Sequence, residues 1–191
     1  MSGPPDLARA AGVLDRRGFL RLAGVAAAAG ILPGGCAGVP DVYAPAREAR
    51  LSVLQPRAYA TFTAVAMRLV GPQGAELIHR RTVDIGQIAD GFLARSPTIA
   101  GPLGRGLALL EFGVWPLLAK VRPFTSLGGP AQDAVLADLV GSRLAFKRAL
   151  YGGVRALAMT TFYGAPATRA LSGYPGPFGL GAVTIADAMA P

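Results

Sequence analysis

The chemistry open to this chain is bounded by its rarest side chains. Among 191 residues there is one histidine, His79, and one cysteine, Cys36. His79 stands in Glu76-Leu77-Ile78-His79-Arg80-Arg81. Two adjacent arginines repel a cation, so it reads as a surface or interface residue and not as a metal ligand or a base. No GxSxG motif supplies a serine nucleophile for it to serve. A single cysteine makes neither an intramolecular disulfide nor a multi-cysteine metal site. Gly101-Pro102-Leu103-Gly104-Arg105-Gly106 has the glycines of a phosphate loop, but it follows no strand and lacks the Lys-Ser/Thr pair. Asp84 and Asp90 lie six apart, off a common helical face, and make no acid pair. Glu111, inside the most apolar stretch, is either a lone proton carrier or the partner of an arginine on a neighbouring helix, and pairing is the stronger reading. The expectation is a chain that is not an enzyme and has no catalytic, cofactor-binding or metal residues of its own.

The N-terminus carries a different kind of chemistry, an address. Arg16-Arg17-Gly18-Phe19-Leu20-Arg21 sets two adjacent arginines before Phe19-Leu20 and a third basic residue, and an apolar run from Leu22 to Gly35 follows. Fourteen residues at a rise of ~1.5 Å give about 21 Å of helix, short of the ~30 Å hydrocarbon layer. A twin-arginine export signal over residues 1–36 fits this pattern, with Arg16, Arg17, Phe19 and Leu20 as its recognised residues and the twin-arginine translocase as the partner that reads it. The destination is then the periplasm. Cys36 ends the run after Gly34-Gly35, which resembles a bacterial lipoprotein box except that Pro33 stands where leucine is usual. Two readings of Cys36 stay open: a lipid attachment site that anchors the chain on the periplasmic side of the membrane, or a residue near an ordinary cleavage site.

Composition bounds the rest. The formal net charge is +8, of which residues 1–35 contribute +2. The remaining basic residues are scattered, with Arg80-Arg81 and Lys147-Arg148 as the only adjacent pairs beyond the leader, so nucleic acid is not an expected partner. Hydrophobic residues make up 52% and charged residues 16%, and the alanine content favours helix.

Residues 37–54, with Pro40 and Pro45, read as a linker ordered only near its end. Five helical patterns follow in a domain at 55–180, with a tail at 181–191. The first, Pro56 to Val70, repeats Tyr59, Phe62, Ala66, Leu69 and Val70 along one stripe and stops at Gly71-Pro72. The second, Thr82 to Ala94, has Thr82 as N-cap and a buried stripe of Ile85, Ile88, Ala89, Phe92 and Leu93. Pro102 to Lys120 is apolar enough to predict the central helix, with Pro116 kinking or dividing it. Gly129 to Val140 and Ser142 to Phe162 complete the set; Val135, Leu136, Leu139 and Val140 predict the inner face of the former, and Leu144, Phe146, Leu150, Tyr151, Val154, Leu157 and Met159 that of the latter. Gly152-Gly153, in mid-helix, predicts either close packing of another helix or a local break. No period-two strand pattern occurs, so the fold class expected is all-α, a compact domain of five or six helices after a signal peptide and linker. Beyond the last helix, Phe162-Tyr163 and Tyr174-Pro175-Gly176-Pro177 set aromatics around a stiff Pro-Gly-Pro turn, a candidate partner interface or a segment folded back on its own domain.

Pro123 to Gly179 resembles the small (gamma) subunit of gluconate 2-dehydrogenase and its relatives. The matching elements are the aromatic-Ser/Thr-x-Leu run Phe124 to Leu127, the spaced Leu136 and Leu139, the basic pair Lys147-Arg148, Tyr163, and the Gly-Tyr-Pro-Gly-Pro ending Gly173 to Pro177. The twin-arginine leader is similar to that of the family as well. The resemblance implies a noncatalytic subunit of a membrane-associated flavin dehydrogenase of the glucose-methanol-choline class. Its large partner subunit would hold FAD and oxidise a sugar, sugar acid or alcohol, and a cytochrome c subunit often accepts the electrons. A large subunit without its own signal would travel with this one, which is why a chain lacking cofactor ligands would use a route for folded proteins. The alternative from a different class is a stand-alone exported helical lipoprotein that binds envelope components.

Overall fold

A computed structural model describes residues 38–113 and 122–168, together with 171 and 173. Every regular element among them is helical: α1 (Pro56–Leu69), α2 (Gly71–His79), α3 (Ile85–Ala94), α4 (Pro97–Phe112), α5 (Gly129–Gly141) and α6 (Ala145–Tyr163), with single 3₁₀ turns at Phe124–Ser126 and Pro166–Thr168. The all-α expectation holds, with six helices.

Prolines set most of the starts. Pro56, Pro72, Pro97 and Pro130 each lie in the first two positions of a helix, where the missing N–H would have no partner and the fixed φ already suits the turn. This accounts for two departures from expectation. Gly71-Pro72 does not only stop α1: Gly71, at φ 75°, reverses the chain and Pro72 begins α2 at once. Pro97 opens α4, so that helix begins five residues before the expected Pro102, which sits inside it. The stretch with Trp115, Pro116 and Lys120 lies outside the described residues.

The centre of the core is α1 and not α4. Eight consecutive residues of α1, Tyr59 to Ala66, are buried, which requires neighbours on all sides. Ala60, Ala64 and Ala66 make that possible, because small side chains let surrounding helices approach. α4 buries one stripe, Leu103, Leu107 and Leu110 with Glu111, and leaves Ile99 half exposed. Phe62, Phe124 and Phe162 are completely buried, each contributing roughly 2–3 kcal/mol by transfer from water. Close approach is visible at two glycines. A Cβ on Gly106 would lie 2.7 Å from Leu150 Cδ1, and one on Gly74 would lie 2.8 Å from Phe162 Cζ.

Some predicted inward residues face out: Ile88 of α3, Val140 of α5, and Leu144 and Phe146 at the start of α6. Thr82 does not cap α3; Asp84 does, accepting from the Gln87 N–H at 2.9 Å. Nor is the segment before α1 a loose linker. It carries turns from residue 40 to 44, and Val39 and Leu54 are buried.

Candidate functional site

Three acidic side chains organise the interior, and each is held by contacts that explain it. Glu111, in the last turn of α4, has 1% of its side chain exposed. Thr125 donates to it twice, from Oγ1 to Oε1 at 2.7 Å and from its backbone N–H to Oε2 at 3.0 Å. Thr61 Oγ1 of α1 lies 3.3 Å from Oε2, and Arg57 Nε lies 3.4 Å from Oε1. The Arg57 guanidinium also sits over the Phe112 ring, 5.4 Å from its centroid. The expected pairing of Glu111 with an arginine of a neighbouring helix is present. The carboxylate joins α1, α4 and the Phe124–Ser126 turn, so the aromatic-Thr-x-Leu run Phe124 to Leu127 works here as an internal clamp. Beside it, Gln132 of α5 is fully buried and its Nε2 donates to the Phe124 carbonyl at 3.2 Å.

Asp90 of α3 is 2% exposed and faces the segment before α1. It accepts backbone N–H groups from Ser52 (2.7 Å), Val53 (2.9 Å) and Leu54 (2.6 Å). Burial pushes its carboxyl up. The amides of Leu54, Ser52 and Val53, with the Ser52 side chain, outweigh that and hold it below the usual carboxylate range. The same segment is fastened upstream by Arg81, whose Nη2 donates to the Ala44 carbonyl at 3.0 Å and the Asp41 carbonyl at 3.3 Å. Arg81 adopts φ 57°, a left-handed conformation uncommon outside glycine. Residues 38–54 therefore form a strap with fixed points at both ends.

Asp84, besides capping α3, accepts the Tyr59 hydroxyl at 2.5 Å. Burial, and then donation to Asp84, push the Tyr59 hydroxyl well above its ordinary range, so it stays protonated at any physiological pH. Two further ion pairs join helices. Arg68 of α1 grips Asp133 of α5 with Nε at 2.7 Å and Nη2 at 2.5 Å, and that contact, against a smaller opposing effect of burial, holds the Asp133 carboxyl below its usual range. Lys147, buried in α6, donates to Asp138 Oδ2 at 2.8 Å.

The residues singled out from the sequence meet different fates. Phe162 is completely buried and cannot be part of a partner interface; its ring fills the space between α2 and α6. Tyr163 is 46% exposed and packs edge-on against Phe162, with centroids 5.1 Å apart at 87°. Arg16, Arg17, Phe19, Leu20 and Cys36, and Tyr174, Pro175, Gly176 and Pro177, lie outside the described residues. His79 is exposed at the end of α2. Gly152-Gly153 neither breaks α6 nor packs against another helix, since a Cβ at either position would meet nothing within 4 Å among the described residues. Sequence reasoning missed the strap anchor at Asp90. Its signal was an acidic side chain flanked by Ala89 and Leu93 on the buried side of α3.

Among the described residues no group of three or more His, Cys, Asp or Glu side chains converges on one point, and no helix is long and apolar enough to cross a membrane. An open depression of about 650 Å³ is walled by residues 45–56, the segment leading into α1, with Arg47 as its single charged lining residue among the described residues. Fold and interior together define an all-α domain in which the buried acids serve as struts. Comparison with protein-family models, with curated proteins and with solved structures found no match.

Proposed function

We propose that this chain is the noncatalytic small subunit and export escort of a FAD-dependent dehydrogenase of the glucose-methanol-choline type, which it accompanies through the twin-arginine route to the periplasm. The observation that carries the reading is a sequence order: Arg16-Arg17-Gly18-Phe19-Leu20-Arg21 and an apolar run stand ahead of a helical domain whose Pro123 to Gly179 stretch resembles the gluconate 2-dehydrogenase small subunit. The interior adds support. Glu111, Asp90 and Asp84 are each engaged in holding helices, turns or the strap, which suits a chain whose task is to fold, bind and be carried.

The physical logic concerns the partner. A flavoprotein acquires FAD only when folded around it, and FAD is made in the cytoplasm, so an exported flavoprotein has to cross already assembled. A leaderless large subunit bound to this chain shares its address. A cytochrome c subunit receiving electrons would complete such a complex. Gly34-Gly35-Cys36 supports a second reading, a stand-alone lipoprotein of the envelope that binds other envelope components.

The deciding experiment is purification of the tagged full chain from its native cells, with an absorption spectrum of what accompanies it, in the natural sequence and with Arg16→Lys and Arg17→Lys. The expected result is a flavin spectrum with a larger chain, and retention of both proteins in the cytoplasm for the double variant. A larger chain that still reaches the periplasm would end the escort role. A colourless, solitary protein would shift the assignment to the lipoprotein.

A further inference from the structure

The outer face of α6 carries charge of one sign. Its sequence, AFKRALYGGVRALAMTTFY, holds Lys147, Arg148 and Arg155 and no acidic residue. Lys147 is consumed by Asp138. Arg148 and Arg155 are exposed, seven residues apart, and so project from the same side of the helix. Gly152 lies between them on that side, also exposed, and Tyr163 closes the stripe at the far end. At the near end Leu144 (52% exposed), four residues before Arg148, continues the stripe, and Val140 (50%) is exposed in the last turn of α5. The α5–α6 connection is built, not loose. Ser142 Oγ accepts the Leu144 N–H at 3.1 Å, and Arg148 Nη1 donates to the Ser142 carbonyl at 2.6 Å.

We propose that this face, from the α5–α6 corner along Arg148, Gly152 and Arg155, docks a protein partner whose surface sets carboxylates beside an apolar patch. The inference rests on the small-subunit reading above and names the surface through which the flavoprotein would be held. Charge selects the occupant: two exposed guanidiniums with no carboxylate on the same helix call for carboxylates from outside. The same charge argues against a second copy of this chain, which would set arginines against arginines. A lipid surface also welcomes arginine and apolar side chains, but it gains nothing from bare backbone. Glycine in mid-helix is unfavourable relative to alanine, and a Cβ at Gly152 or Gly153 would meet nothing within 4 Å among the described residues. Among the described residues nothing requires a glycine at Gly152, whereas a polypeptide approaching α6 closely does.

The test compares the purified complex from native cells for three tagged full chains: the natural sequence, Gly152→Leu with Gly153→Leu, and Arg148→Glu with Arg155→Glu. Each double variant should retain at least tenfold less flavoprotein, and the glycine variant should melt higher as a free chain because leucine favours helix. That pairing of a tougher fold with a lost complex separates docking from folding. If the natural chain holds its flavoprotein and both variants hold it within twofold, the surface assignment is overturned while the small-subunit reading survives. If the natural chain brings down no flavoprotein, both fall together. In a parallel flotation with vesicles containing phosphatidylglycerol, binding that is lost only in the arginine variant, with the flavoprotein retained, would give this face to the membrane and overturn a protein occupant.

Discussion

The surroundings of α1 and the outer face of α6 solve opposite problems with the same residue types. Around α1, glycine and alanine bring helices together: Gly74 meets Val70 and Phe162, and Gly86 meets the Tyr59 ring. On α6, Gly152 and Gly153 meet nothing within 4 Å among the described residues. Inside, Arg57 is matched to the buried Glu111. Outside, Arg148 and Arg155 share their helix with no acid. A residue type thus has no fixed meaning in this chain, and its effect follows from what stands opposite.

The comparison can be broken most severely at Glu111. Glu111→Ala should destabilise the domain by about 3–5 kcal/mol, because it leaves the Thr125 N–H buried without its acceptor and removes the partner of Arg57. Urea unfolding followed by circular dichroism measures the change. A loss below ~1 kcal/mol would mean that the carboxylate is not a strut. Next come the inner glycines. Gly86→Ala places a methyl into the Tyr59 ring and should cost roughly 1–3 kcal/mol, while Gly153→Ala should stabilise by about 0.8–1 kcal/mol. Opposite signs in thermal melts sharpen the contrast between the two regions, and equal signs would dissolve it.

The strap gives an effect of middle size with a pH signature. Asp90→Asn should cost about 1–3 kcal/mol by weakening acceptance of the Ser52, Val53 and Leu54 amides. Because the folded carboxyl titrates below its unfolded value, its contribution is complete above pH ~4 and is lost as pH falls through the folded value. The variant should therefore converge on the natural protein in acid. Amide exchange over residues 52–54 would register the release directly. Smallest is the rim: Arg68→Ala, which opens the exposed pair with Asp133, should change stability by ~0.2–1 kcal/mol, shrinking further in high salt.

Much of the helical plan was legible because it is local chemistry. Pro56 and the Gly129-Pro130 pair mark helix starts by their fixed φ and missing donors, and both starts fall where expected. Glu111 was readable as paired, since an unpaired charge in so apolar a stretch would be too costly. The misplaced centre of the core has one cause. An apolar stripe says that one side of a helix is buried but not how many neighbours it has. Leucine-rich α4 therefore looked central, while alanine-rich α1 is surrounded on all sides. At Phe162-Tyr163 adjacent aromatics looked equivalent, yet one helical step turns the first inward and the second outward.

From the sequence alone come the all-α class, the proline- and glycine-marked starts and the inventory of groups that can titrate, all properties of residues and their near neighbours. Tertiary structure alone decides that α1 is the axis, that Asp90 ties down residues 52–54 across a separation of thirty-six to thirty-eight positions, and that the face of α6 is left without a cover among the described residues. The physical reason is that burial and pairing depend on what other parts of the chain bring alongside a residue, and no local pattern carries that information.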